Sequence, residues 1–165
     1  KLTRNRLNFI DSFLKEFPEF VESLSIPSTL KDKFKEISIT YNKGWKDNLL
    51  EELRGSFVKD QARGFTSLGP QTSDLRVKIK KEESGNILSR GEQKLLILLI
   101  YLFFIRAYSA LKPNKTIFLI DDLPSELDEK NLDLALNLIQ EIDCQVFITS
   151  LEKLEKYEFD FVIDL

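Results

Sequence analysis

Between Thr116 and Ile148 the hydrophobic period of this chain switches from strand to helix and back, and few folds accept such a pattern. Thr116-Ile117-Phe118-Leu119-Ile120 is a short β-rich run whose composition predicts a strand buried on both faces. Leu132, Ala135, Ile139 and Ile142 then recur at helical spacing, and Val146-Phe147-Ile148 is a second apolar strand. Leu151 to Tyr157 reads as a short helix and Phe159 to Ile163 as a last strand. The series after residue 110 is therefore βαβαβ, which predicts an α/β fold with a parallel sheet and helices on its faces.

Upstream the pattern is more mixed. Leu7, Ile10, Leu14, Phe17, Val21 and Leu24 step by three and four, as on a helix. Pro18 should kink that helix or start a second one, which suggests a helical pair leading into Ser28 to Phe34. Ile37, Ile39 and Tyr41 alternate as a strand, with Asn42-Lys43-Gly44 as its turn, and Leu49, Leu53 and Phe57 mark a helix. Gly69-Pro70 breaks the chain before a strand at Leu75, Val77 and Ile79. Glu83-Ser84-Gly85-Asn86 reads as a turn, Gly91 to about Ala110 as a strongly apolar helix, and Pro113-Asn114 as a loop.

Composition narrows the possible functions. With 42% hydrophobic and 31% charged residues over 165 positions, the chain belongs with globular domains. One cysteine, Cys144, excludes an internal disulfide, and with no histidine the chain lacks the usual nitrogen and thiolate ligands of a zinc site. A reducing, cytoplasmic compartment is the expectation. The longest apolar run, Leu95 to Ile105, is short of the roughly 18 to 20 residues that a membrane span needs. A net charge of −3 gives no general attraction to nucleic acid, so DNA binding would need a local basic patch or a second chain. The basic run Lys78, Lys80 and Lys81 reads as a solvated strand end. The chain opens at Lys1 and has no methionine, which suggests a piece of a longer protein.

Two elements could carry chemistry. The Thr116–Ile120 strand ends in Asp121-Asp122, and adjacent carboxylates repel unless water or a cation sits between them. At the C-terminal end of a parallel strand, where open α/β sheets bind ligands, such a pair suits Mg²⁺ coordination and activation of a water. A strand running into a polar turn is the plain structural account of the same residues. The other element is Leu88-Ser89-Arg90-Gly91-Glu92-Gln93-Lys94. Ser89 with Glu92 is a capping box before an apolar helix, and the same pattern recurs at Ser125 with Asp128 and at Thr149 with Glu152. A helix start with exposed N–H groups, and Gly91 permitting close approach, is also a place for a phosphate.

Their order adds information. The Ser89 helix start precedes the acidic strand by about thirty residues. Ser125-Glu126-Leu127-Asp128, a helix and the strand ending at Thr149-Ser150 follow. That series resembles the second half of an ATP-binding-cassette ATPase, with signature motif, Walker B, D-loop and switch region in turn. The wording of Leu88 to Leu96 and of Leu119 to Asp128 is close to the RecF family, as are Tyr41-Asn42-Lys43-Gly44-Trp45 and Gly64-Phe65-Thr66-Ser67-Leu68-Gly69-Pro70 ahead of Asp74-Leu75-Arg76. The resemblance covers roughly residues 36 to 165. Three departures stand out. Gln71 replaces the family's usual histidine, Thr149 or Ser150 lies where transporter-type cassettes carry a switch histidine, and no Gly-x-x-x-x-Gly-Lys-Ser/Thr loop occurs anywhere.

The resemblance implies the C-terminal lobe of a P-loop, cassette-type head at residues 36–165, with its Walker A half missing, and a helical-arm segment at 1–35. It implies ATP and Mg²⁺ as cofactors of the complete protein, with Asp121 at the metal and Asp122 as catalytic base. Ser89, Arg90, Gly91, Glu92 and Gln93 would meet a nucleotide held by an opposing head, and Ser125 and Asp128 would couple two heads in an ATP-dependent homodimer. Thr149 and Ser150 would form the switch region. The family's task is repair of gapped DNA at single-stranded/double-stranded junctions, with RecO and RecR, in loading RecA and in the SOS response. The alternatives are another SMC- or cassette-type repair head, or a non-catalytic interaction module derived from one.

Overall fold

A computed structural model describes residues 2–111 and 116–163; the expected loop at Pro113-Asn114 lies outside the described residues. The chain divides into two compact units, Lys1–Ile87 and Leu88–Leu165, each holding its own sheet.

The first unit opens with helix α1, Leu2–Ser23, followed by α2, Ser28–Phe34. No second helix starts at Pro18; α1 runs through it. Proline removes one backbone hydrogen bond and crowds the carbonyl four residues back, but burial of the flanking aromatic face offsets that cost. Phe13 and Phe17 stack with ring centroids 4.7 Å apart, and Phe17 and Val21 are fully buried. The buried face runs Ile10, Phe13, Phe17, Phe20, Val21 and Leu24, whereas Leu7 is exposed and Leu14 half-buried. A single straight helix drifts off a strict seven-residue repeat, so Phe13 and Phe20 take core places that the three-and-four count assigned to Leu14 and its neighbours.

Strand β1, Ile37–Asn42, pairs antiparallel with β2, Asp74–Ile79, from Ile37↔Ile79 to Asn42↔Asp74. Arg6 ties α1 to this sheet, donating to the Tyr41 hydroxyl at 2.8 Å and to Ser73 Oγ at 2.8 Å. That guanidinium holds the Tyr41 phenol below its ordinary value. Between the strands lies α3, Leu49–Arg63, which has no fully buried residue. Its end is organised by Asp60, which accepts from Ser56 Oγ at 2.8 Å, from Ser67 Oγ at 2.6 Å and from the Ser67 N–H at 3.2 Å. The following loop closes on Gly44, whose carbonyl accepts the Gly69 N–H at 3.1 Å. Gly44 has φ +88°, and a Cβ there would run into the Gly69 carbonyl.

The expected turn at Glu83-Ser84-Gly85-Asn86 is instead a two-residue strand, β3, Glu82–Glu83, and one helical turn, α4, Ser84–Ile87. The reversal occurs earlier, at Lys80 and Lys81, both with positive φ (50° and 75°), between the paired residues Ile79 and Glu82. Both lysine backbones take the sign of φ that a two-residue type I′ hairpin demands and that Asn-Gly satisfies better. The local basic run is partly neutralised, by Lys78–Glu83 at 3.7 Å and Lys80–Glu36 at 3.2 Å.

In the second unit, α5, Arg90–Leu111, buries Leu95, Leu96, Leu98, Leu99, Leu102, Phe103 and Ile105, while Ile97 and Tyr101 stay exposed. Strand β4, Ile117–Ile120, pairs in parallel with β5, Gln145–Ile148, through α6, Glu129–Gln140, as the switching period predicts. Burial of β4 on both faces is not observed: Leu119 is 71% exposed, and Phe118 and Ile120 are half-buried. Among the described residues the sheet has two strands, and on one face the rings of Tyr101 of α5 and Phe118 lie 6.0 Å apart. The helix expected at Leu151 to Tyr157 and the strand at Phe159 to Ile163 are also absent; bends and a turn occupy 151–160. No described strand offers 159–163 a ladder, and Phe161 is 91% exposed. Residues 156–157 are clipped to α6, where Tyr157 donates to Asp133 at 2.6 Å and Lys156 to Glu129 at 2.7 Å. The Tyr157 hydroxyl, followed by Lys156, holds the Asp133 carboxyl below its ordinary value.

Two predictions follow from the first unit. Replacing Lys80-Lys81 with Asn-Gly raises stability by about 1 kcal/mol, measured by urea unfolding. The hydroxyls of Ser67 and Ser56 depress Asp60 below its ordinary 3.8. The folded chain then binds fewer protons there than the unfolded chain, so this contribution is complete above the ordinary value and is lost as pH falls through the depressed one. Unfolding midpoints measured from neutral pH into acid therefore fall less steeply in Asp60→Asn than in the parent chain.

Candidate functional site

The signature-like segment and the acidic strand end both lie in the second unit, and they meet. Ser89 caps α5 as the sequence predicts: its hydroxyl accepts the Glu92 N–H at 3.2 Å, and its own N–H donates to Glu92 Oε2 at 2.9 Å. Ser89 is exposed. The Gln93 amide donates to the Leu88 carbonyl at 3.0 Å, so this side chain is engaged within its own helix start.

Gly91 is buried, and its smallness serves packing within the chain. A Cβ there would come 3.2 Å from Asn131 Nδ2 and 3.3 Å from the Glu126 carbonyl, tighter than ordinary contact. Absence of a side chain lets α5 lie against the 123–126 turn and the first turn of α6. Arg90 reinforces the contact through an exposed ion pair with Glu126 at 3.0 Å, a kind worth little by itself.

At the end of β4, Asp121 is exposed and Asp122 half-buried. Thr149, just past β5, organises them. Its hydroxyl donates to Asp121 Oδ1 at 2.6 Å and accepts the Asp122 N–H at 2.8 Å. Its backbone continues the parallel ladder, with Thr149 N–H on the Ile120 carbonyl at 3.0 Å and Leu123 N–H on the Thr149 carbonyl at 3.2 Å. Asp122 sits at φ +46° and Glu126 at +64°, a left-handed backbone that aspartate tolerates and glutamate seldom takes. Strain of this kind persists only where the surroundings over-determine it. Buried Leu123 anchors the turn from below, at 2% exposure.

Two of the three capping patterns resolve differently from their sequence reading. The cap of α6 is Asp128, which accepts the Asn131 N–H at 2.8 Å, while Ser125 lies in the preceding turn with its N–H on the Asp122 carbonyl at 3.2 Å. No helix follows Thr149: Ser150 Oγ accepts the Glu152 N–H at 3.1 Å in a local turn, and the Thr149 hydroxyl is engaged by the acidic pair. Lys94 was not singled out in the sequence. Its ammonium donates to the Asp122 carbonyl at 2.7 Å and the Ser125 carbonyl at 2.9 Å. The available signal was Arg90 and Lys94, one helical turn apart on the face beside Gly91.

Among the described residues no three of His, Cys, Asp and Glu converge as a metal cluster; the acidic pair stands by itself. A parallel crossover, an acidic strand end and a capped apolar helix seated beside it match, as a fold, the C-terminal lobe of an ATP-binding-cassette head. No family model matches the chain. It is 36% identical over 150 residues to the DNA replication and repair protein RecF of Pseudomonas aeruginosa (strain LESB58), over 87% of this chain and 40% of that protein. It is 40% identical over 118 residues to RecF of Pseudomonas entomophila (strain L48), over 70% of this chain and 32% of that one. In fold it is similar to the recombination mediator protein RecF with ATP in the RecFOR pathway, at TM-score 0.57 and 21% identity over 93% of this chain and 41% of that one. By this similarity the chain corresponds to the C-terminal portion of RecF. It spans about two fifths of the length of the curated relatives it matches.

Gly91→Val forces a branched side chain against the Glu126 carbonyl and Asn131. It lowers stability in urea unfolding by about 1–3 kcal/mol.

Proposed function

We propose that this chain supplies the C-terminal lobe of a RecF-type ATPase that acts in recombinational repair of gapped DNA. The observation that carries the reading is the acidic pair at the end of β4, fixed by Thr149 and packed through the 122–126 turn against the helix start at Ser89. RecF relatives at 36–40% identity support the family, and a RecF–ATP neighbour in fold supports nucleotide chemistry.

Asp121 and Asp122 fit a hydrated Mg²⁺, which binds through one or two carboxylates plus substrate phosphates and keeps several waters. Thr149 occupies only one oxygen of Asp121, leaving carboxylate oxygens for such a shell. When bound, the ion would neutralise charge on the phosphates. Asp122 would orient and deprotonate the attacking water. Ser89 and the N-terminal turn of α5, with Arg90, Glu92 and Gln93, would face a nucleotide carried by a second head. Gly91 would serve that site by seating α5 on the 123–126 turn. Ser125 and Asp128 would lie at the boundary between heads, with Thr149 and Ser150 as the switch. Helices α1 and α2 would belong to the arm at 1–35.

The outer face of β4–β5 supports a lobe that packs against further structure, since Ile117, Leu119 and Phe147 are all more than half exposed there. On this reading the complete protein dimerises on ATP, recognises single-stranded/double-stranded junctions and assists RecA loading with RecO and RecR in the cytoplasm. No described helix is long and apolar enough to cross a membrane.

The 165-residue chain alone is expected to show no Mg²⁺-dependent ATP hydrolysis. Turnover by it that disappears in Asp122→Asn would overturn that expectation. In a longer protein carrying the phosphate loop, Asp122→Asn lowers turnover about a hundred- to ten-thousandfold and leaves ATP binding in place.

A further inference from the structure

We propose that Lys94 is the positioning residue of the acidic site, holding Asp122 in its left-handed backbone from the first turns of α5. The inference rests on the reading of Asp121-Asp122 as a cation and nucleotide site, and it adds a component to it.

The turn after β4 contains two non-glycine residues with positive φ, Asp122 and Glu126. Left to itself such a turn relaxes toward negative φ, because the Cβ of each residue crowds its own backbone. Relaxation at Asp122 would re-aim its carboxylate, since rotation about φ redirects the Cα–Cβ bond. What opposes it is specific. Backbone bonds close the turn, from Ser125 N–H to the Asp122 carbonyl at 3.2 Å and from Leu127 N–H to the Pro124 carbonyl at 3.1 Å. Thr149 holds the Asp122 N–H from one side at 2.8 Å. From the other side the Lys94 ammonium takes the carbonyls of Asp122 and Ser125, at 2.7 and 2.9 Å. Asp122 is thus gripped at both its N–H and its C=O. An ammonium makes charge-assisted bonds, stronger than neutral ones, and two of them span the turn.

Lys94 lies five residues after Ser89 on the same helix. A shift of the α5 N-terminus therefore moves the ammonium that sets Asp122, and the two candidate elements of the site respond together. Among the described residues the Lys94 ammonium donates to carbonyl oxygens of the turn, so its role is to position rather than to react.

The test uses the 165-residue chain with Lys94→Met, which keeps the aliphatic stem and removes the donors, and Lys94→Arg, which keeps cationic donors. Amide hydrogen exchange is followed residue by residue by NMR. In Lys94→Met, exchange at Ser125 and Leu127 is expected to accelerate by about tenfold, with α6 and the β4–β5 ladder unchanged. Lys94→Arg is expected to recover most of the protection. No acceleration in Lys94→Met, or acceleration spread evenly over the second unit, overturns the proposal.

Mn²⁺ then serves as a probe of the acidic pair, through paramagnetic broadening of Asp121 and Asp122. Broadening in the parent chain that needs several-fold more Mn²⁺ in Lys94→Met, and not in Lys94→Arg, is the expected result. Broadening unchanged by Lys94→Met overturns the role of Lys94 while the cation site stands. No broadening in the parent chain overturns the cation reading of Asp121-Asp122, and the role of Lys94 toward it.

Discussion

A single threonine hydroxyl joins the two parallel strands at the point where they stop being strands. Thr149 accepts the Asp122 N–H and donates to Asp121, while its own backbone prolongs the ladder begun at Ile117 and Gln145. Without that link, two adjacent carboxylates at a strand end would splay into solvent, since like charges at such range repel. With it, one oxygen of Asp121 is held by a hydrogen bond, and the N–H of Asp122, whose backbone is left-handed, is fixed beside it. The rest of the second unit is arranged around this end. Buried Leu123 anchors the turn, Asp128 caps α6, and α5 sits on the turn through Gly91.

The first unit solves a different problem. Its sheet of β1, β2 and β3 is small, and α3 buries little. Polar clamps supply much of its order: Arg6 on Tyr41 and Ser73, Asp60 on Ser56 and Ser67, and the Gly44–Gly69 closure. Such part-buried clamps contribute modestly in energy but strongly in direction, because each donor must meet its acceptor along a narrow range of angles. The apolar face of α1 and α2, led by Phe17 and Phe34, provides the burial.

Much of this was legible in the residues, for identifiable reasons. The βαβ crossover was readable because the strands and α6 differ in period, and period is a local property. The Ser89 capping box was readable because it is completed within four residues. The same pattern misled at Ser125 and at Thr149. Spacing cannot reveal that Asp128 supplies the cap of α6, or that the Thr149 hydroxyl is engaged by residues 27 and 28 positions away. Leu151 to Ile163 have strand-like and helix-like composition, yet adopt neither state where no described strand offers them a ladder.

From its own order of residues, this chain determined an α/β lobe with a parallel crossover, an acidic strand end and a capped apolar helix, because period, capping and charge adjacency are encoded over a few residues. Only tertiary structure decided how the acidic pair is held, what Gly91 is for, and that Lys94 reaches the turn after β4. Those depend on contacts between residues some thirty positions apart, whose meeting is a consequence of how α5 packs against α6 and the turn before it.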